Sequence, residues 1–188
     1  MTPGSEPRPI TIVISGPGGV GKSTIADRLV SRDDRLWLSR SWTTRAQREG
    51  EADTAYAFVT PEQFRARIDA GGFLEWTEFL GHLYGTPLPE PAGGSEVVVL
   101  EIEVDGAQQV KARQADAILV FVLPPTRTEQ ERRLRERGDL EDKVIERLRK
   151  AESEEPVGLK LADHVLVNDD LDETVSDLLR IIDQARRR

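Results

Sequence analysis

The sequence predicts an α/β protein with a mostly parallel core sheet, helices on both of its faces and one inserted α+β lobe. Three observations carry this. Short runs rich in β-branched residues alternate with helical periodicity, the pattern of chains that wind helices around a parallel sheet. A glycine-rich loop joins the first apolar run directly to the first helix. Between Ser41 and Gly94 the alternation lapses into mixed aromatic, Gly and Pro residues, as an insertion would.

Taken in order, Ile10–Ser15 (ITIVIS) has the profile of a strand buried on both faces. Lys22–Val30 follows as an amphipathic helix, and Leu36–Ser39 as a weaker strand. Inside the insertion, Pro61–Ala70 reads as a helix and Phe73–Leu80 (FLEWTEFL) as a strand. Val97–Val104 (VVVLEIEV) and Ile118–Leu123 (ILVFVL) repeat the buried-strand profile, with a helix from about Gly106 to Arg113 between them. Thr126–Arg137, Leu140–Ser153 and Leu171–Arg186 are helical, and His164–Val167 is a short strand, making about five core strands. The expected domain plan is a disordered tail over 1–9 and a single domain over 10–188. Its core spans 10–40 and 95–188, with a lobe over about 41–94 and a helical lid over about 126–155. Glu152–Glu155 reads as a solvated helix end.

The 188 residues carry 26 Lys+Arg against 34 Asp+Glu, a formal charge of −8. That length sustains one core with room for an insertion. An acidic balance excludes a nucleic-acid coat and a polybasic membrane binder, both of which need excess positive charge. The lack of cysteine excludes disulfides, zinc–thiolate sites and a thiol nucleophile. With only His82 and His164, a histidine metal cluster is excluded as well, so a metal would be held by oxygen, which favours Mg2+. No apolar run nears the roughly 20 residues of a membrane span. Met1–Pro9 has no apolar core, so the expected location is the cytoplasm.

Gly16, Pro17, Gly18, Gly19, Val20, Gly21, Lys22 and Ser23 fill the pattern G-x-x-x-x-G-K-[ST], with Thr24 next, directly after a buried strand and before a helix. In that setting backbone N–H groups wrap a diphosphate at the positive end of the helix. Lys22 then reaches the β- and γ-phosphates, and Ser23 is placed to ligate Mg2+. Neither an [NT]-K-x-D base-reading motif nor an S-G-G-Q signature is present, which argues against a GTPase and a transporter ATPase. After the fourth core strand Arg133 and Arg137 share a helical face, with Arg147 on the next helix. They could close over a transferring phosphoryl group; the plain alternative is a solvated Arg/Glu helix.

The insertion concentrates groups suited to a phosphorylated acceptor. Arg45 and Arg48 can fork around a phosphate, and both tyrosines of the chain, Tyr56 and Tyr84, lie in the same stretch. Glu75 sits in the apolar FLEW, where an unpaired carboxylate is costly. A carboxylate only accepts, and guanine offers two adjacent donors, so a buried Glu selects guanine, with Ser41 or Thr86 donating to O6. Taken singly, Glu75 reads first as an ordinary amphipathic-strand residue, and it is the constellation around it that favours the guanine reading.

In GPGGVGKST (16–24), S-W-TTR-x-x-R-x-GE (41–51), FLEW (73–76), G-H-L-YGT (81–86), VLEIEVDGAQQV (99–110), LPP…E-RRLRERG (123–138) and VNDDLD (167–172), the chain resembles the guanylate kinases. The resemblance runs from Ile10 to Ile182. It implies a P-loop three-layer fold with core order 2-3-1-4-5, a GMP-binding lobe and a lid. It also implies transfer of the ATP γ-phosphoryl to GMP or dGMP with Mg2+ and no covalent intermediate. By position, Ser41, Arg45, Arg48, Tyr56, Glu75, Tyr84, Thr86, Glu101 and Glu103 fall at the acceptor, Glu101 also near Mg2+, through water. Lys22, Arg45, Arg133 and Arg147 fall at the reacting phosphates, Arg137 and Asn168 on the ATP side. The chain departs from the pattern at Gly18, Gln47, Ala55, Glu103 and Asp105, and in a shortened 87–96 segment. No nucleic-acid polymer or membrane is expected as a partner, and the sequence names no protein partner. Two alternatives remain: a catalytically inactive guanylate-kinase-like protein-binding module, and a same-fold kinase for another phosphorylated acceptor.

Overall fold

The computed structural model describes residues 9–90 and 95–187. The Met1–Pro9 tail, apart from its last residue, and the centre of the shortened 87–96 segment lie outside them. The core sheet is built from β1 (Ile10–Ser15), β2 (Leu36–Leu38), β7 (Val97–Glu101), β8 (Ile118–Leu123) and β9 (His164–Val167). Its order is β2-β7-β1-β8-β9 and all four pairings are parallel. Counting core strands alone, this is the expected 2-3-1-4-5 order. In the three central strands alternate residues feed two cores. Ile12, Ile14, Val97 and Val99 face α1 (Lys22–Val30) and α6 (Leu171–Arg186); Val13, Val98 and Leu100 face the opposite side with Ala107 and Val110 of α3 (Val104–Arg113).

A second sheet is inserted between β2 and β7. It contains β3 (Trp42–Thr43), β4 (Ala57–Phe58), β5 (Phe73–Phe79) and β6 (His82–Pro87) in the order β4-β3-β6-β5, backed by α2 (Pro61–Asp69). Helix α2 opens on a capping box, Thr60 with Gln63, and Pro61 in its first turn. Phe64 from α2 stacks on Phe73 with centroids 4.6 Å apart. Only the helix and β5 are legible in the sequence. Two-residue strands carry no period, and β6 contains both Gly85 and Pro87, which depress any strand reading. The β5–β6 turn places Leu80 at φ 51° and Gly81 at φ 77°, the left-handed pair that a tight hairpin needs.

Two boundaries differ from expectation. Strand β7 stops at Glu101 and α3 begins at Val104, with Glu103 in the capping position. The apolar alternation of Val97–Val104 runs on because Ile102 and Val104 are buried beyond the sheet. Helix α5 (Glu141–Leu161) follows α4 (Arg127–Glu136) and runs past Ser153, with Pro156 inside it. Its last turns are held by packing: Gly158 lies so close to the Phe121 ring that a Cβ there would overlap it. That close contact with the sheet outweighs the local penalty of an interior proline.

Candidate active site

The loop between β1 and α1 sets the site. Gly16 approaches β8 so closely that a Cβ there would overlap the Val122 carbonyl oxygen, so no other residue fits. Lys22 is buried and its Nζ donates to the carbonyls of Gly16 at 2.6 Å and Pro17 at 3.3 Å. Glu103 sits 3.5 Å from the same ammonium. Ser23 Oγ donates to Glu101 Oε2 at 3.1 Å. Burial pushes the Glu101 carboxyl up, against the pull of Lys22.

Two contacts brace this loop from outside, and the sequence signals neither. Gln130 of α4, fully buried, donates from Nε2 to the Gly18 carbonyl at 2.6 Å. Asn168, beyond β9, donates from Nδ2 to the Val20 carbonyl at 2.7 Å and accepts from Thr174 at 3.2 Å. The Asn168 side chain is thus committed to shaping the loop, and its exposure is 6%. Its carbonyl accepts from Arg133 Nη1 at 3.0 Å.

Above the loop lies a cleft of about 790 Å3 whose walls come from the core, the second sheet and the α4–α5 pair. Lys22, Ser23, Thr24, Ser41, Arg45, Arg48, Tyr56, Tyr84, Glu101, Glu103, Arg133, Arg137 and Arg147 all reach it. Arg45 is gripped by Glu51 through two bonds of 2.8 Å and lies 5.3 Å from the Tyr56 ring centroid. The Arg48 backbone N–H also donates to Glu51, at 2.9 Å. Burial, with Arg137, Arg45 and Arg147 nearby, pushes the Arg48 guanidinium down. Asp139 pairs with both Arg137 and Arg147, the latter at 3.1 Å. Arg147 Nη1 lies 3.2 Å from the position of a Cβ on Gly18, directly over the phosphate loop. Glu101 and then burial push the Tyr56 hydroxyl well up, so it stays a neutral donor.

Glu75 does not reach the cleft wall and is 3% exposed. Its Oε1 accepts from the Thr86 amide at 3.0 Å and the Thr86 hydroxyl at 2.6 Å. Thr86 is therefore committed to the carboxylate and is not a free donor for a base. Oε2 points at α3, where a Cβ on Gly106 would stand 2.5 Å away. Burial pushes this carboxyl up, against the two Thr86 bonds.

The expectation for Glu152–Glu155 is corrected in part. Glu154 is 7% exposed, and its Oε1, without a hydrogen bond, lies 3.6 Å from Lys150 Nζ. Burial first, and then Glu103, push it up to about 7. Glu155 instead pairs with Arg127 at 2.9 Å. The sequence reading also misses Glu51 and Asp139 as counter-ions, although each stands near in sequence to an arginine it holds. Gln130 and Glu154 are ordinary helix residues by pattern and acquire their roles only by docking.

A parallel α/β sheet with a P-loop at the mouth of an arginine-lined cleft defines a P-loop nucleotide-binding protein. The guanylate kinase family model matches residues 8–185. The chain is 43% identical over 175 residues to a guanylate kinase of Prochlorococcus marinus subsp. pastoris, covering 91% of this chain and 95% of that one. A guanylate kinase of Thermus thermophilus is 45% identical over 181 residues, covering 94% and 81%. The crystal structure of guanylate kinase from Anaplasma phagocytophilum superposes with a TM-score of 0.77 at 26% identity, covering 97% of this chain and 89% of that one. The chain belongs to the guanylate kinase family. No helix among the described residues is long and apolar enough to cross a membrane.

Proposed function

We propose that this protein transfers the γ-phosphoryl group of ATP to GMP, and also to dGMP, giving ADP and the diphosphate, in the cytoplasm. The observation that supports it most is the convergence of Lys22 with Arg45, Arg48, Arg133, Arg137 and Arg147 on one cleft reached from three structural units. Glu51 holds Arg45 and, at 3.9 Å, Arg48, while Asp139 holds both Arg137 and Arg147, so four guanidiniums share two carboxylates and positive charge is left for two polyanions. The second sheet acts as the acceptor lobe and the α4–α5 pair as a lid.

ATP lies along the P-loop, and its phosphates draw Lys22 from the Gly16 carbonyl and from Glu103. Arg137 and the Asn168 region lie on its outer side. The acceptor phosphate takes Arg45, Arg48 and the hydroxyls of Tyr56 and Tyr84. The base lies toward Glu75; on binding, the carboxylate turns Oε2 from Gly106 into the cleft to accept from guanine N1–H and the 2-amino group, and Ser41 donates to O6, because Thr86 is occupied. A phosphate oxygen is already a nucleophile, so no side chain serves as a strong base, and none joins covalently to the transferring group. Positioning and charge stabilisation by Lys22, Arg45, Arg133 and Arg147 carry the rate.

The adjacent Ser23 and Glu101 oxygens fit Mg2+, Ser23 directly and Glu101 through water. An Mg2+ held there by Ser23 and Glu101 would supply charge neutralisation to the donor phosphates.

The test is ADP formation from ATP across GMP, dGMP, AMP, CMP and UMP, with Mg2+ present and chelated. Turnover with GMP and dGMP alone, lost on chelation, is expected. Equal turnover of AMP overturns the guanine reading, and silence across the panel overturns the catalytic one.

A further inference from the structure

Phe79 closes strand β5 of the second sheet and is 4% exposed, yet it belongs to neither hydrophobic core. Its ring is covered from α5 instead. Lys150 Nζ stands 4.0 Å from the ring centroid and the Arg147 guanidinium carbon 5.6 Å. Those two residues are three apart, hence neighbours on one helical face. Each cation is steadied from behind: Lys150 lies 3.6 Å from Glu154, and Arg147 lies 3.1 Å from Asp139. On its other side Phe79 meets Tyr84 edge-on, with centroids 6.1 Å apart and planes at 88°. A chain of contacts thus runs from Tyr84 on the acceptor side, through Phe79, to the arginine that overlies Gly18 on the donor side.

We propose that Phe79 is a positioning residue, the tongue of a lobe–lid latch gripped by Lys150 and Arg147, through which an occupied acceptor site and a closed lid favour each other. This rests on the two-substrate reading above and assigns it a coupling element. A phenyl ring reaching between two cations is held only while lobe and lid are together, since swinging either unit away removes the cations from the ring face. The coupling is reciprocal: if GMP binding sets Tyr84 and Phe79 for the latch, ATP binding under Arg147 strengthens GMP binding by the same factor. A desolvated cation–π pair makes that factor about five- to thirtyfold.

The test measures GMP affinity by calorimetry, with and without a non-hydrolysable ATP analogue and Mg2+, in the unmodified protein and in Phe79→Leu, Lys150→Met and the double variant. Lys150 lies outside the cleft wall, and Met keeps its apolar stem, so this variant serves even if Phe79→Leu unfolds. In each single variant the tightening of GMP by the analogue should fall about fivefold or more, and in Lys150→Met the affinity for either nucleotide alone should change less than about twofold. The double variant should be no worse than the weaker single, and Lys150→Arg should restore coupling. Undiminished coupling in both single variants, or losses that multiply in the double, would overturn the latch while leaving the activity standing. Absence of GMP binding in the unmodified protein would overturn the activity reading and the latch with it.

Discussion

Replacing Glu154 by Gln tests the least expected feature of the site, a buried carboxyl among charges on α5. Its folded-state value of about 7, against an ordinary 4.5, already nets burial and the repulsion of Glu103 and Asp105 against the pull of Lys150 and Lys22. The folded protein therefore holds a proton here more tightly than the unfolded chain does. Below about pH 4.5 both states carry the proton and the group costs nothing. As pH rises toward 7 the unfolded chain loses its proton first, so stability falls across that window and the full penalty remains above it. At about 1.4 kcal/mol per pH unit the penalty is on the order of 3 kcal/mol. Gln has the same shape and no charge. Urea unfolding of both proteins at pH 4.5 and pH 8 should show nearly equal stability at the lower value and an advantage of about 3 kcal/mol for Glu154→Gln at the higher. A variant that is weaker at pH 8, or that differs by the same amount at both values, would refute the reasoning.

Glu75→Gln replaces the carboxylate assigned to the guanine base by a neutral amide, and should cost GMP about 1.5–3 kcal/mol of binding while sparing ATP; titration with each nucleotide separates the two. Gln130→Met keeps the volume but strips the Gly18 carbonyl of its buried donor, at a cost of about 1–3 kcal/mol. Part of that loss should appear as weaker ATP binding, because the carbonyl belongs to the phosphate loop. Leu80 occupies a left-handed position that Cβ sterics disfavour, and Asn tolerates it because its short amide hydrogen-bonds the local backbone, so Leu80→Asn should stabilise the fold by about 0.5–1 kcal/mol and raise the midpoint of thermal unfolding. A fall in the midpoint would mean that Leu80 packing outweighs its backbone strain.

The sequence by itself determined the core strands and the phosphate loop, because each rests on local or periodic signals; the strand order came only as what the family resemblance implies. Ile10–Ser15 must be buried on both faces, and Gly16 to Ser23 must turn from that strand into a helix, whatever surrounds them. Arg45, Arg48, Tyr84 and Glu75 were legible as unusual residues in one insertion. Their distances, and the fact that Glu75 faces inward while the others line the cleft, were not. Only the tertiary structure decided that Thr86 is committed to Glu75, that Asn168 and Gln130 brace the loop, and that Glu154 lies buried beside charges from other elements. The physical reason is common to all four. Side-chain polarity is written residue by residue, but burial and hydrogen-bond partnership are set by elements that meet from many positions away. Those meetings decide which polar groups are spent on the fold and which stay available to a nucleotide.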